Sequence, residues 1–343
     1  MKFDYVIGNP PYQESISESD SNSSLSKQLF PLFMQAAIEM TTEKVALITP
    51  SRWFTGDAQD KSFLKLRQFI QENNHMRVIY NYKNGKEVFP NAEIKGGVNY
   101  FLYDKTYRGK IKFVNVQDGE EKAEIRNLFE EGLDIIISDQ IDYEILKKIK
   151  DRNDFVSLIT ITKGRNAFGI IGKESVVNSI SKGEKFENAI ELRCKADTIR
   201  WTSRDKVTKS VDLIDKYKVY ISKSAGSPNK DFKVIGTPYV GGKGSVCTDS
   251  LFPIGDFSNL EEAENLAKYM KTKFLRYLVN IVKMSQNVTQ IVYKFVPLQD
   301  FTDKSDINWK NKLDEIDDFL FDKYGFTEQE KKLIRSTIKG VEG

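Results

Sequence analysis

The first third of the chain alternates short apolar runs with amphipathic stretches. Helical periodicity over residues 29–40 predicts an apolar face made of Leu29, Leu32, Phe33, Ala36, Ala37 and Met40, and residues 63–70 predict a second helix. Four apolar runs predict buried strands: residues 3–7, 45–49, 78–82 and 99–103. Strands that alternate with helices predict an α/β fold with a largely parallel sheet.

The pattern changes after residue 120. Residues 121–150 are charged and predict a helical connector, whereas residues 151–302 predict short strands with Gly/Ser/Asn turns and one helix over 260–280. Residues 303–343 predict two helices separated at Gly325. The sequence therefore predicts an α/β domain over 1–120, a connector over 121–150, an α+β domain over 151–302 and a helical segment over 303–343.

Composition excludes several classes of protein. The 343 residues are 40% hydrophobic and 29% charged with a net charge of +3, which is enough for two globular cores and excludes a disordered polyelectrolyte. No apolar stretch approaches a membrane span, and the first ten residues do not resemble a signal peptide. Cys194 and Cys247 lie far apart, as expected in a reducing cytoplasm. We expect a cytoplasmic protein that does not bind membranes.

The basic residues are concentrated in one part of the chain. Residues 151–300 hold 24 Lys and Arg against 17 Asp and Glu, while the segments before and after are slightly acidic. A surface that neutralises phosphates needs such an excess, although a solvated lysine-rich surface accounts for it equally well.

Histidine and cysteine are too few for common metal sites. His75 is the single histidine, and with two cysteines the chain cannot build a four-ligand Cys/His zinc site, so no metal is predicted. Catalysis must then use carboxylates, amides, hydroxyls, the backbone or a cofactor.

The segment Asn9-Pro10-Pro11-Tyr12 directly follows the first predicted strand. Two prolines fix φ and remove two backbone donors, so the segment is rigid and its carbonyls are free to accept hydrogen bonds. Open α/β sheets bind ligands at the carboxyl ends of their strands. An Asn amide oxygen beside a free carbonyl suits the two N–H groups of an exocyclic amine, and Tyr12 offers a face for stacking. An ordinary Asx-Pro turn is the alternative.

The stretch FDYVIGNPPYQ resembles the catalytic motif of adenine-N6-specific DNA methyltransferases of restriction–modification systems, which carry a C-terminal target-recognition domain. KVALITPSRWF (44–54) and GKEVFPNAEIKGGVNYFLYDK (85–105) resemble the following strands and the Val-Phe-Pro element of that family. Residues 218–236, 244–257 and 269–302 resemble its recognition domain. The resemblance therefore covers nearly the whole chain.

This resemblance implies a function and assigns residues to it. It implies a partial Rossmann-like methyltransferase sheet followed by an α+β target-recognition domain that binds double-stranded DNA. Asn9, Pro10, Pro11 and Tyr12 would form the catalytic segment, with Asn9 and the Pro10 carbonyl accepting hydrogen bonds from the amine of a flipped adenine. Tyr12 and Phe89 would stack on that base, and S-adenosylmethionine (SAM) would donate the methyl group.

The family binds SAM mainly with a Gly-rich strand–turn and an acidic residue upstream of the catalytic motif. The motif begins at residue 9, and the last forty residues contain no F-x-G-x-G. We therefore expect the SAM-binding half to come from another chain, or the gene to be truncated. The strand over 3–7 is then expected to remain as an apolar edge.

Several residues of the basic segment are candidates for DNA contact. Gln286 and Asn287 are candidate base readers, because side-chain amides pair with adenine in the major groove. The candidates for phosphate contact are the cations Lys163, Arg165, Lys223, Lys230, Lys243 and Lys283.

Three functions remain open at this point. The leading one is site-specific adenine methylation in a restriction–modification or defence system, with a restriction endonuclease as an expected partner. The second is a catalytically inactive DNA-binding specificity subunit or a truncated methylase. The third is a methylase of RNA or protein that uses the same segment, against which the basic domain argues.

Overall fold

The computed structural model divides the chain into two compact units, Met1–Asp142 and Tyr143–Gly343. The residues that it describes are 2–14, 27–56, 61–92, 94, 96–195, 198–224, 234–283 and 288–340. The N-terminal unit is longer than the predicted first domain, and the C-terminal unit includes both the predicted α+β domain and the helical segment.

The N-terminal unit is built on a six-stranded sheet in the order β1-β4-β6-β5-β7-β8. Two further short strands, β2 and β3, pair with each other. The strands are β1 (Phe3–Gly8), β2 (Gln13–Glu14), β3 (Lys27–Gln28), β4 (Thr41–Pro50), β5 (Met76–Tyr82), β6 (Val98–Asp104), β7 (Ile111–Gln117) and β8 (Glu120–Arg126).

The α/β fold class is confirmed, but the prediction of a largely parallel sheet is wrong. Strand β1 pairs parallel with β4, and β5 pairs parallel with β7. The other three pairings, β4 with β6, β6 with β5 and β7 with β8, are antiparallel. Because β6 lies between β4 and β5 and runs against both, the strands β1, β4, β5 and β7 still point in one direction.

Helices α1 (Phe30–Met40) and α2 (Ser62–Asn73) pack on one face of this sheet and form its core with Val45, Leu47 and Phe101. The apolar face predicted for α1 is wrong except at Ala37. The buried residues are Phe30, Pro31, Met34, Ala37 and Ile38. Helical periodicity identified two apolar faces on this helix, and the face that includes Leu32 and Phe33 lies at the surface, 50% and 45% exposed.

Strand β1 lies at the edge of the sheet, as expected from the sequence, and most of it is exposed rather than buried. Val6 points to the core, whereas Tyr5 and Ile7 on the opposite face are 58% and 82% exposed. An apolar strand edge of this kind is a surface that soluble proteins usually cover.

The predicted helical connector is wrong over its first part. Residues 120–126 form β8, which pairs with β7 along its whole length, and the helix α3 spans only Gln140–Lys150. The sequence EEKAEIR has the composition of a charged helix, but its side chains are mostly exposed at a sheet edge, where charged residues are favoured.

The C-terminal unit contains two small sheets. The first has the order β14-β10-β11-β9 and the second the order β13-β12-β15. Their strands are β9 (Ser181–Lys182), β10 (Ile190–Arg193), β11 (Ile199–Thr202), β12 (Tyr217–Ser222), β13 (Tyr239–Gly241), β14 (Ser245–Cys247) and β15 (Leu251–Phe257). These short strands fit the α+β domain predicted for this part of the chain.

The helices of this unit are α4 (Glu174–Ile180), α5 (Leu260–Lys271), α6 (Lys273–Val282), α7 (Leu313–Lys323) and α8 (Glu328–Thr337). The single helix predicted over 260–280 is wrong, because Thr272 adopts an extended conformation and caps α6 with its hydroxyl. Asp317 accepts the backbone N–H groups of Lys273 and Phe274, which stabilises this break. The separation of α7 and α8 at Gly325, whose φ is +64°, is confirmed.

Candidate functional site

The predicted site residues Asn9 and Phe89, together with Ser51, follow strands that point in the same direction. Asn9 follows β1, Ser51 follows β4, and Phe89 lies in the connection that follows β5. The structure therefore brings these three segments to the carboxyl edge of one sheet, where open α/β proteins bind ligands.

The Asn-Pro-Pro-Tyr segment (residues 9–12) presents free acceptors. Asn9 is exposed, and within the described residues no hydrogen bond is made by its side chain or by the Pro10 carbonyl. The segment is anchored at its far end, where the Tyr12 carbonyl accepts the N–H of Leu29 at 3.1 Å. Two prolines at its centre restrict the backbone further. The acceptors are therefore held in a rigid segment and remain available to a ligand.

Tyr12 is half-buried against the core. Its ring meets Phe30 edge to face, with the centroids 6.5 Å apart. Its hydroxyl is buried and, among the described residues, has no hydrogen-bond partner. Burial raises the pKa of this phenol, so the hydroxyl is neutral at physiological pH. A neutral, partly packed ring is suited to stacking on a base rather than to proton transfer.

Phe89 lies in a tight connection after β5. Residues Gly85–Glu87 form a 3₁₀ turn, and the N–H of Phe89 donates to the Gly85 carbonyl at 2.9 Å. The connection returns to the sheet at Gly97, whose φ of +81° and approach to the Tyr82 carbonyl exclude a side chain. Phe89 is half-buried, and no ring contact with Tyr12 is formed in the described structure.

A buried network of polar side chains supports this edge, and the sequence analysis did not identify it. The Ser51 hydroxyl donates to Asn81 at 2.7 Å, and Asn81 donates to Asn115 at 2.9 Å. Asn99 donates to the Thr49 carbonyl at 3.2 Å and to Ser51 at 3.3 Å. A signal was present in the sequence, since each asparagine interrupts an apolar run near a strand end.

Two of the predicted DNA contacts lie at the same end of the second small sheet. The N–H of Lys163 donates to Pro253, and the N–H of Lys223 donates to Ser250, so both residues flank the start of β15. Lys163 and Arg165 are exposed, while Lys223 pairs with Asp249 at 3.7 Å. The N–H of Val288 also donates to the Lys223 carbonyl, at 2.8 Å.

The remaining candidates are placed differently. Lys243 lies over the ring of Tyr217 at 5.4 Å, at the opposite end of β12 from Lys223. The ammonium of Lys283 donates to the Val234 carbonyl at 2.5 Å, and burial lowers its pKa to about 8, which weakens it as a phosphate contact. Lys230, Gln286 and Asn287 lie outside the described residues.

Lys218 is a buried cation that the sequence analysis did not single out. Its ammonium is fully buried and donates to the carbonyls of Leu213, Lys216 and Gly242 at 2.8, 2.8 and 3.2 Å. Burial lowers its pKa to about 8. Lys218 thus fixes the loop that carries Lys243, and no signal in the sequence distinguishes it from the exposed lysines around it.

Other cavities and clusters do not coincide with the predicted site. A cavity of about 670 Å³ in the C-terminal unit lies between α5, α6 and α7 and is lined by none of the predicted residues. In the described ranges, no group of three or more His, Cys, Asp or Glu side chains is placed to hold a metal ion. No described helix is both long enough and apolar enough to cross a bilayer.

Comparison with known proteins identifies the class to which the N-terminal region is related. Residues 1–89, which contain β1, the Asn-Pro-Pro-Tyr segment, β4 and Phe89, match the family described as Eco57I restriction-modification methylase. The resemblance to adenine-specific restriction–modification methylases, predicted from the same residues, is thereby confirmed for this region.

Individual relatives extend this comparison. An uncharacterized adenine-specific methylase of Mycoplasma pneumoniae is 38% identical over 110 residues, which cover 32% of this chain and 25% of the relative. Among solved structures, the type IIG restriction endonuclease BpuSI matches with a TM-score of 0.34 and 13% identity, over 97% of this chain and 52% of that protein. The type IIL restriction-modification enzyme MmeI in complex with DNA matches with a TM-score of 0.48 and 10% identity, over 98% and 52%. The matched region is thus a quarter of the curated relative.

Proposed function

We propose that this chain contributes the base-binding half of a site-specific DNA adenine methyltransferase that acts in a restriction–modification or defence system. The observation that carries the proposal is the Asn-Pro-Pro-Tyr segment. Within the region that matches the methylase family, it presents two unoccupied acceptors at the carboxyl edge of the sheet.

The proposed chemistry uses these acceptors directly. An exocyclic amine has two N–H bonds, and Asn9 Oδ1 and the Pro10 carbonyl would accept one each. Accepting both directs the nitrogen lone pair away from the segment, toward a methyl donor. Tyr12, and Phe89 from the neighbouring connection, would hold the flipped base by stacking. In this proposal no side chain acts as a covalent nucleophile.

The methyl donor in this proposal is SAM, but the described residues do not by themselves fit a SAM site. A ligand at such an edge needs a crevice with walls on both sides, and β1 has a neighbour on one side only. The exposed Tyr5 and Ile7 of β1 supply the apolar surface on which a further segment of sheet would pack. We propose that a SAM-binding segment, on the same polypeptide or on another, completes the sheet there.

The C-terminal unit is proposed to recognise double-stranded DNA. Lys163 and Arg165, both exposed, lie in the segment that joins the second sheet next to Lys223, which provides cations close together. A restriction endonuclease is a proposed partner. Because SAM and DNA are available there, we propose that the protein acts in the cytoplasm.

Methylation by an Asn9→Ala variant tests the proposal. The protein would be tagged in its own cells, purified with whatever segment or chain accompanies it, and assayed for transfer of tritiated methyl groups to duplex DNA. We expect Asn9→Ala to reduce the rate by about a hundredfold or more, because it removes one of two acceptors that orient the amine. Asn73→Ala is the matched control, since this asparagine only caps the end of α2.

The result distinguishes the competing functions. Undiminished methylation by Asn9→Ala would contradict the catalytic assignment. If wild-type protein binds duplex DNA but transfers no methyl group with any associated chain, the inactive specificity subunit becomes the better description. If duplex DNA is not bound even at low salt, where phosphate contacts are strongest, a methylase of RNA or protein is favoured.

A further inference from the structure

Arg52 lies beside the Asn-Pro-Pro-Tyr segment, and none of the described carboxylates pairs with it. It is the central residue of the 3₁₀ turn Ser51–Trp53, which follows β4 at the carboxyl edge of the sheet. Its guanidinium lies over the ring of Phe30, 5.9 Å from the centroid, and the same ring contacts Tyr12. Arg52 therefore adjoins the residues proposed to bind the target base.

The backbone that carries Arg52 is held on both sides. The N–H of Ser51 donates to the Gly97 carbonyl at 3.0 Å, and the Ser51 hydroxyl donates to Asn81. On the other side, Arg67 donates to the carbonyls of Trp53 and Gly56 at 2.7 and 2.9 Å. The turn is thus held by buried side chains, which fix the backbone position from which the Arg52 side chain extends.

The guanidinium itself has few partners. Nη2 donates to Gln13 Oε1 at 3.4 Å, and Nε is buried with no hydrogen-bond partner among the described residues. No carboxylate of the described residues pairs with it, and burial lowers its pKa. Burying a cation without an anion is unfavourable, and the planar fork of arginine matches phosphate or carboxylate.

We propose that Arg52 binds a backbone phosphate adjacent to the target adenosine, and so fixes the nucleotide whose base enters the Asn-Pro-Pro-Tyr segment. This inference rests on the proposed function, since it takes the ligand to be a DNA strand. In such a strand every base has a phosphate on each side, so a cation beside a base-binding segment meets one of them.

The strand order favours a phosphate over the carboxylate of SAM. The open edge, where the SAM-binding segment is proposed to pack, is on one side of β1. Arg52 follows β4, which lies on the other side of β1. The charge of Arg52 therefore lies where Tyr12 packs on Phe30, away from the edge at which the SAM-binding segment is proposed to pack.

The test uses trinucleotides and the tagged protein with its associated chains. The probe is d(TpApT), labelled for fluorescence anisotropy, and two analogues replace the phosphate 5′ or 3′ of the adenosine with an uncharged methylphosphonate. In wild-type protein we expect one replacement to weaken binding by about tenfold, as the loss of a charged hydrogen bond would. In Arg52→Gln we expect d(TpApT) to bind about tenfold more weakly, and that same replacement to have less than about a twofold further effect.

Two control variants accompany the test. Arg77→Gln removes an arginine at the amino end of β5, where it pairs with Asp104 at 3.1 Å, and is expected to leave the phosphate dependence unchanged. Arg52→Lys keeps the charge but loses the fork, and is expected to fall between wild type and Arg52→Gln. Circular dichroism of each variant confirms that it is folded.

The outcomes separate this inference from the proposed function. If methylphosphonate replacement weakens binding equally in wild type and Arg52→Gln, the phosphate site is overturned. It is also overturned if Arg52→Gln lowers the affinity for SAM and leaves the affinity for the trinucleotide unchanged. Failure of wild type to bind any trinucleotide would also overturn it, whatever the methylation assay shows. If instead d(TpTpT) binds as tightly as d(TpApT) and Asn9→Ala leaves the rate of methylation unchanged, the proposed adenine methylation is contradicted. The effect of the methylphosphonate replacements then still decides whether Arg52 binds a phosphate.

Discussion

The C-terminal helices around Phe274 and the N-terminal elements β1 and α1 differ in how far their apolar side chains are buried. In the C-terminal unit, Phe274 is fully buried and stacks on Tyr324 and Phe326, with ring centroids 5.1 and 5.7 Å apart, so that α6, α7 and α8 share one core. In the N-terminal unit, Ile7 and Phe33 are exposed although the strand and helix that carry them are well formed. The comparison indicates that the C-terminal helices share a packed aromatic core around Phe274, whereas β1 and α1 keep apolar side chains outside the core of the N-terminal unit.

The sharpest test of this comparison is the same substitution in both units. Phe274→Ala should lower the free energy of unfolding of the C-terminal unit by about 3–5 kcal/mol, because it leaves a cavity in a packed aromatic cluster. Phe33→Ala should cost less than about 1 kcal/mol, because little packing is lost at an exposed position. Hydrogen exchange followed by mass spectrometry resolves the two units. Equal losses would show that Phe33 already has its partner within this chain.

The buried polar network predicts a smaller effect in the N-terminal unit. Asn99→Ala removes the donor to Thr49 and Ser51, and should lower the free energy of unfolding by about 1–3 kcal/mol because buried polar atoms lose partners. Asn84→Ala, which removes an exposed cap of the following 3₁₀ turn, is the control and should cost about 1 kcal/mol or less. Denaturant titration measures both. A neutral Asn99→Ala would mean that the network does not stabilise this edge.

The two buried lysines are expected to make a contribution to the stability of the C-terminal unit that increases as pH rises above 8. The folded pKa of Lys218 is about 8 and the unfolded value is about 10.4, so between these values the unfolded state binds more protons and stability rises with pH, by roughly 1–3 kcal/mol. Lys283, with a folded pKa of about 8, acts in the same direction.

Lys218→Met should therefore flatten part of this rise, whereas Lys216→Met at the neighbouring position should not. The measurement is denaturant unfolding of the C-terminal unit at pH 7.5, 8.5 and 9.5. The same dependence of stability on pH in wild type and Lys218→Met would show that Lys218 keeps an ordinary pKa.

The smallest effect on stability is expected at the open edge. Ile7→Thr should change the free energy of unfolding by no more than about 0.5 kcal/mol, because the side chain is exposed and threonine also favours strands. The same change should weaken association through β1, whether with a SAM-binding chain or with a second copy. Sedimentation of wild type and variant, with and without the co-purifying chain, measures this. Identical association would show that β1 is not the contact.

Much of the N-terminal fold could be predicted because its strands are apolar runs ended by prolines. Residues 3–7 and 45–49 are such runs. Strand β1 (Phe3–Gly8) matches the first closely, whereas β4 (Thr41–Pro50) contains the second but begins four residues earlier. The antiparallel position of β6 could not be predicted, because strand order depends on pairing between distant residues. The surface of α1 was misjudged for a similar reason, since periodicity cannot decide which of two apolar faces meets the sheet.

The candidate site shows the same division. Asn9, Pro10, Pro11, Tyr12 and Phe89 could be chosen from local sequence and from the family resemblance, and their roles stay predictions. Arg52 could not be chosen, because the sequence does not show that its guanidinium packs on Phe30 or that its Nε finds no hydrogen-bond partner among the described residues. Lys218 was missed because nothing local separates a buried lysine from a solvated one.

The position of the cations along β12 sets a scale for the proposed DNA complex. Lys223 and Lys243 lie at opposite ends of this strand, about 20 Å apart for six residues at roughly 3.3 Å each. Nucleotides of one DNA strand rise about 3.4 Å per step. If β12 lies along the axis of the double helix, its two lysines would be separated by the rise of about six base pairs, or rather more than half a turn.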